Sequence, residues 1–174
     1  LTLAEAYYDV APVSVIEFRH AALGHYFISA DAAEIAALDA GAIRGWQRTG
    51  QSFNAWPAYT EGASPVCRFY LPPAAGDSHF FSALPAECAD VARRFPQFVA
   101  ESPAVMYAPL PDPATAACPA GATPVFRLWN GRSDTNHRYT TDAGARGAML
   151  AAGWIAEGYG PLGVAWCAPA AGVR

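Results

Sequence analysis

Three stretches of the chain share one pattern of hydrophobic and polar positions. "VIEFRH" (Val15–His20), "VCRFYL" (Val66–Leu71) and "VFRLWN" (Val125–Asn130) alternate apolar with polar side chains and are rich in β-branched and aromatic residues. That pattern predicts half-buried strands. A second apolar run follows each one: "HYFIS" (His25–Ser29), "HFFS" (His79–Ser82) and "HRYTT" (His137–Thr141). The loops between, "AALG", "PPAAGDS" and "GRSDTN", hold the Gly, Pro, Asp and Asn of hairpin turns. An Ala-rich segment comes next, over 31–41, 84–95 and 142–153, and predicts a short helix. Asp31 with Glu34 makes a capping-box-like start, and Gly41 suits the C-terminal end. Asp142 and Gly153 play the same parts in the third segment. In the second, Pro85 sits in the first turn and Pro96 ends the helix. Leu84, Cys88, Val91 and Phe95 share one helical stripe, so Cys88 faces inward in this reading. A last strand then starts at Trp46, Phe98 or Trp154.

His25, His79 and His137 are 54 and 58 residues apart. One strand–strand–helix–strand unit cannot bury its own apolar face, whereas three can share a core. The expectation is therefore a mainly β, α+β fold with short helices. Three repeats, over about 14–56, 65–108 and 124–168, surround a pseudo-threefold axis in a single domain of residues 1–174. The architectures that fit are a β-trefoil-like body or a small three-bladed propeller. Residues 1–13 read as an N-terminal extension and 110–123 as a linker.

Composition narrows the class. Apolar residues make up 53% of the 174 and charged residues 15%, which is a globular chain and not a disordered one. Net charge is −4 with no basic cluster, which argues against a nucleic-acid partner. No apolar run reaches the roughly 20 residues needed to span a bilayer, so no membrane insertion is expected. The chain opens on Leu1 with no leader, and reads as a mature chain or excised domain. Cys67, Cys88, Cys118 and Cys167 form no C-x-x-C pair and have no zinc-finger spacing. Two disulfides and an oxidising compartment (extracellular, periplasmic or cell-surface) are expected. Of three possible pairings, Cys67–Cys88 and Cys118–Cys167 are favoured. The alternative is four buried free thiols.

The order V-x-R-[FL]-[YW], H-[FR]-[FY]-[ST], an Ala-rich helix, then W-x-x-E-G resembles an uncharacterised repeat family of bacterial and fungal secreted or surface proteins, a domain of unknown function. Its usual form is near "VYRFYN…HFYTTSAAE…W.YEGVAFY". The likeness runs from Val15 to Cys167 and is most specific in the third repeat. The first departs from it: Glu17 stands where Arg68 and Arg127 stand, and "RTG" (Arg48–Gly50) replaces Glu157–Gly158. The second has Glu101–Ser102 there. The resemblance implies an accessory module of a larger secreted chain, beside a hydrolase or on an adhesin, with a lectin-like role. It supplies no catalytic residues.

Three readings of the histidines stay open. Each imidazole can fix its own hairpin, stand at the mouth of a sugar pocket, or meet the others on the axis as a metal site. A sugar pocket needs planar hydrogen-bonding groups and an aromatic face. The candidates are His25, Tyr70, Asp77, His79, Trp129, Asp134, Asn136, His137 and Tyr159. Trp56 and Tyr59 also sit among turn residues, while Trp46 and Trp154 read as core. Arg68 with Glu101 and Arg127 with Glu157 are expected as ion pairs that pin the last strand to the first. Glu17 with Arg48 is the same pair with charges exchanged. No G-x-S-x-G, H-E-x-x-H or P-loop occurs.

The favoured function is non-catalytic binding of a glycan or polysaccharide, with no metal and no cofactor. The alternatives are a structural or protein-interaction accessory domain, and an uncharacterised hydrolase. The last would need one deep pocket with a His of displaced pKa.

Overall fold

A computed structural model describes residues 10–171. Its strands are β1 (Val13–His20), β2 (His25–Ser29), β3 (Trp46–Ala55), β4 (Ala63–Leu71), β5 (Ser78–Ser82), β6 (Val99–Pro109), β7 (Thr123–Trp129), β8 (His137–Thr140), β9 (Ile155–Glu157) and β10 (Val164–Ala168). Its helices are α1 (Ala32–Asp39), α2 (Pro85–Arg94) and α3 (Ala143–Ala151). They build three antiparallel sheets, ordered β2-β1-β3, β5-β4-β6 and β8-β7-β10, with β9 also paired to β7. In each, the first strand is central, the hairpin partner flanks one side and the strand after the helix flanks the other. No barrel closes among the described residues, because every sheet keeps its own edges. Of the extension expected over 1–13, residues 1–9 lie outside the described residues, and Val13 already belongs to β1.

The helices start as their sequences predict. Asp31 Oδ1 accepts from the Glu34 N–H at 2.7 Å, and Asp142 Oδ1 from Ala145 N–H at 2.9 Å. The Glu34 carboxylate does not complete a capping box. It turns away to Ser29 and to Arg68 on the next sheet.

Alternation buries one face of all three sheets in a shared core. Val15 and Phe18, Val66, Phe81 and Met106, and Val125, Tyr139 and Trp166 all lie in it, with Trp166 fully buried. Tyr139 and Trp166 stack with centroids 5.0 Å apart. The Tyr139 hydroxyl donates to Phe81 O and accepts from Phe81 N–H, both at 2.8 Å, and so joins the third sheet to the second. β2, β5 and β8 each approach the other two, as do β3, β6 and β10.

In every sheet the pairing of the central strand with the last strand is interrupted, and the extra residues lie on the last strand. Opposite Glu17 three residues of β3 are squeezed between Arg48 and Ser52, and opposite Cys67 three of β6 between Ser102 and Met106. In the third sheet the interruption grows into a 158–163 loop that splits the last strand into β9 and β10.

Two disulfides form. Cys67 on β4 reaches Cys88 on α2 with Cα atoms 6.3 Å apart, and Cys118 reaches Cys167 on β10 at 5.7 Å. The second ties the connection between β6 and β7 to the core. Two disulfides fit an extracellular location.

Candidate functional site

Strand register decides which side chains share a place. Tyr70 pairs with His79 across the second hairpin, and Trp129 with His137 across the third. In the first hairpin the equivalent pair is Arg19 with Tyr26, while His25 pairs with His20 one step further along. His25 therefore holds the place of Ser78 and Asn136, not of His79 and His137. The shared "H-aromatic" spelling hides a one-residue slip, and a one-residue slip sends a strand side chain to the opposite face.

The second and third hairpins each face the helix of the preceding sheet across a cleft. The first cleft lies between α1 and the β4–β5 hairpin. It has a volume of about 450 Å³, and its walls include Phe27, Trp46, Tyr70, Asp77, His79 and Glu101. The second lies between α2 and the β7–β8 hairpin. It has a volume of about 490 Å³, and its walls include Phe80, Phe98, Arg127, Trp129, His137 and Glu157.

Both clefts are braced in the same way. Ser29 Oγ donates to Glu34 at 2.5 Å, and Glu34 accepts from Arg68 at 3.0 Å. Arg68 Nε lies 2.6 Å from Glu101, whose other neighbour is His79 Nε2 at 3.4 Å. In the second cleft Ser82 Oγ donates to Glu87 at 2.5 Å, and Arg127 donates to both Glu87 oxygens at 2.9 and 2.7 Å. Arg127 Nε then lies 3.1 Å from Glu157, as does His137 Nε2. The Arg68 and Arg127 Nε contacts are charge contacts without aligned hydrogen bonds. Phe27 packs on His79 at 4.8 Å and Phe80 on His137 at 5.1 Å. Arg127 lies over the Phe80 ring at 4.9 Å, a cation–π contact.

Burial sets the protonation states. It is the main influence on His137, pushing its pKa below the ordinary value against the opposing pull of the Glu157 hydrogen bond. The neutral ring donates Nε2–H to Glu157 in this arrangement, and its Nδ1 has no partner. Burial pushes Glu87 and Glu157 up, but the hydrogen bonds outweigh it, from Arg127 and Ser82 for Glu87 and from His137 for Glu157, with the Arg127 charge adding to both. Both carboxyls end below the ordinary range. The His79 hydrogen bond chiefly lowers Glu101, helped by Arg68.

Acid is therefore expected to loosen this junction in two stages. His137 is depressed, so the unfolded chain takes the proton first, and stability falls once pH drops below the unfolded histidine value near 6.5. The depressed glutamates stabilise above their unfolded value near 4.5, and that stability is lost as pH falls through their lower folded values. Urea midpoints measured from pH 7.5 down to 3.5 should decline in these two windows. A His137→Phe variant should lose the first decline and keep the second.

The remaining candidates are placed elsewhere. His25 is buried, its Nε2 3.1 Å from Asp134 O and 3.4 Å from Asp134 Oδ2. Asn136 is fully buried and staples the backbone of Tyr26, accepting from its N–H at 2.8 Å and donating to its carbonyl at 3.0 Å. Ser78 Oγ bonds Thr135 O. Asp134 is itself held by Arg132 at 2.7 and 2.6 Å. His25, Asp134 and Asn136 thus knot the first hairpin to the third, because backbone groups there have no strand partner. Tyr159 bridges Val164 at the 158–163 loop and packs beside Leu128, away from the walls named above. Glu17 does not pair with Arg48. It accepts from Arg138 Nε at 2.8 Å and NH2 at 2.9 Å, while Arg48 bonds Asp39. Glu17 thus reaches β8 of the third sheet, and from its own last strand it takes only the Thr49 hydroxyl, at 2.7 Å. Trp46, expected in the core, is half-buried, packs against the shared core and also walls the first cleft.

Sequence reasoning missed Glu34, Glu87, Phe27, Phe80 and Phe98. One signal was present: Ser29 and Ser82 each precede a Glu by five residues. Among the described residues no group of three or more His, Cys, Asp or Glu could hold a metal ion.

A family model described as "Domain of unknown function (DUF5648)" matches residues 4–108, which reach from before β1 to the end of β6. No curated protein and no solved structure matches the chain. With well over half its length matched, the chain belongs to the domain-of-unknown-function family DUF5648.

Proposed function

We propose that this chain is a non-catalytic, lectin-like module of a secreted or cell-surface protein that binds glycans in the two helix–hairpin clefts. One observation carries the reading: the same aromatic, His, Glu and Arg constellation is built twice, at Tyr70-His79-Glu101-Arg68 and at Trp129-His137-Glu157-Arg127. A pyranose offers an apolar ring face and a girdle of hydroxyls. Each cleft offers an aromatic ring beside carboxylate and imidazole groups, and a volume that suits one or two sugar rings. The proposal includes three strand–strand–helix–strand repeats about a pseudo-threefold axis. The mutual approach of β2, β5 and β8, and of β3, β6 and β10, supports it.

The electrostatics favour binding over hydrolysis. A glycosidase needs one carboxyl held protonated as general acid, facing a second that stays ionised. Glu87 and Glu157 are both held below the ordinary range, by bonds that include a shared arginine.

The test is a glycan and insoluble-polysaccharide panel on the oxidised protein, with Trp129→Ala and Tyr70→Ala beside the parent. Each variant should lose about tenfold in affinity at its own cleft, corresponding to roughly 1.4 kcal/mol, and the double variant should be weakened about tenfold at both clefts. Silence of the parent across the panel would sink the reading. It would leave a protein-interaction domain, whose partner a cross-linking experiment on the parent secretion host should then trap.

A further inference from the structure

Each cleft presents more negative than positive charge, and the arginines behind its carboxylates are already engaged. Glu34, Asp77 and Glu101 wall the first, and Glu87, Asp90 and Glu157 the second. Arg68 is held by Glu34 and Glu101, Arg127 by Glu87 and Glu157, and Arg94 by Asp90 at 3.3 Å. Among the described residues only Arg44, at the exposed rim of the first cleft, lines either cavity without a carboxylate partner. The whole chain carries −4, so the surrounding field has the same sign. In the second cleft His137 is more than nine-tenths buried, with Nδ1 unpartnered.

The third helix–hairpin position, between α3 and β1–β2, is built differently at five corresponding places. Tyr26 stands for the histidines, Arg19 for Tyr70 and Trp129, and Arg138 for Phe27 and Phe80. Glu17 replaces the arginines of the central strand, and Ala145 replaces the helix glutamates, three residues past the N-cap. Arg138 fills the space. Its guanidinium lies 4.2 Å from the Tyr26 ring centroid and is bound by Glu17, and Tyr26 meets Trp154 edge-on at 5.9 Å.

We infer that the chain is a bivalent reader of uncharged or amine-bearing sugars, which turns away acidic ones and whose third position is sealed by the Glu17–Arg138 pair. The inference rests on the lectin reading above. A uronate or sulfate entering either cleft would face three carboxylates with the bridged Arg68 or Arg127 behind them, against a single free guanidinium, Arg44, at the rim of the first cleft. Hydroxyls and an ammonium group would instead find acceptors. Two occupied clefts on one rigid body also raise avidity for a polymer.

The experiment is titration calorimetry of the intact oxidised protein with three tetrasaccharide probes: a neutral β-linked glucan, a de-acetylated glucosamine oligomer and an oligogalacturonate. The expected result is two equivalents of the neutral or amine probe per chain, and binding of the acidic probe at least tenfold weaker. Asp77→Asn with Asp90→Asn, both at accessible rims, should narrow the gap between amine and acidic probes at least threefold, and an unchanged gap overturns the charge argument. Acidic binding equal to or tighter than neutral, or a stoichiometry of one or three, overturns the inference while the lectin reading stands. Silence with all three probes and with the wider panel overturns both.

Discussion

The Cys118→Ala/Cys167→Ala double variant is expected to melt about 8–16 °C below the parent. The bond closes a loop with a sequence separation of 49, and the chain-entropy relation gives such a crosslink about 4 kcal/mol. For a domain of this size each kcal/mol moves the midpoint by roughly 2–4 °C. Local packing adds to the loss, since Cys167 is fully buried on β10. The bond also anchors the stretch between β6 and β7, which has no strand or helix of its own to hold it. Cys67–Cys88 spans only 21 residues, for about 3 kcal/mol, and its removal should shift the midpoint less. Melting followed by circular dichroism on both double variants checks the order. A Cys118/Cys167 shift under about 3 °C would show that the junction holds without its crosslink.

The second large effect lies at the Glu17–Arg138 pair. Its side chains are 2% and 10% exposed, so each charge depends almost wholly on the other. Glu17 also accepts from Thr49 Oγ1 at 2.7 Å, but a hydroxyl cannot neutralise it. Arg138→Met should cost about 3–5 kcal/mol, because the carboxylate is then buried without its counter-charge. Glu17→Leu combined with Arg138→Met removes both charges and keeps the volume, and should recover most of that loss. Urea unfolding of the two singles and the double closes the cycle. A single variant within 1 kcal/mol of the parent, or a double no better than the worse single, would refute the account.

This pair shows where sequence reasoning ended. Period-two alternation marked β1, β4 and β7, turn residues marked the hairpins, and Asp31, Asp142 and Pro85 marked helix starts. All of these are local signals, read within a few residues. The favoured cysteine pairing was also legible, because helical spacing turned Cys88 inward. The partner of Glu17 was not legible. Arg48 is near in the chain and fits by analogy with Arg68–Glu101, but the carboxylate of Glu17 meets the guanidinium of a residue separated by 121 positions. Asn136 shows the same limit. Its composition suited a sugar site, yet it lies fully buried against the backbone of Tyr26.

By itself, then, the sequence determined which segments form strands, hairpins and short helices, and the residue types available for chemistry. Tertiary structure decided the rest. It set the one-residue offset that removes His25 from the company of His79 and His137, and it brought Glu34 to Arg68 and Glu87 to Arg127. The clefts exist only because the helix of one sheet docks against the hairpin of the next. The reason is physical. Strand and helix periodicities are properties of consecutive residues, whereas a cleft is made of side chains from separate sheets, whose meeting depends on register and packing across the shared core.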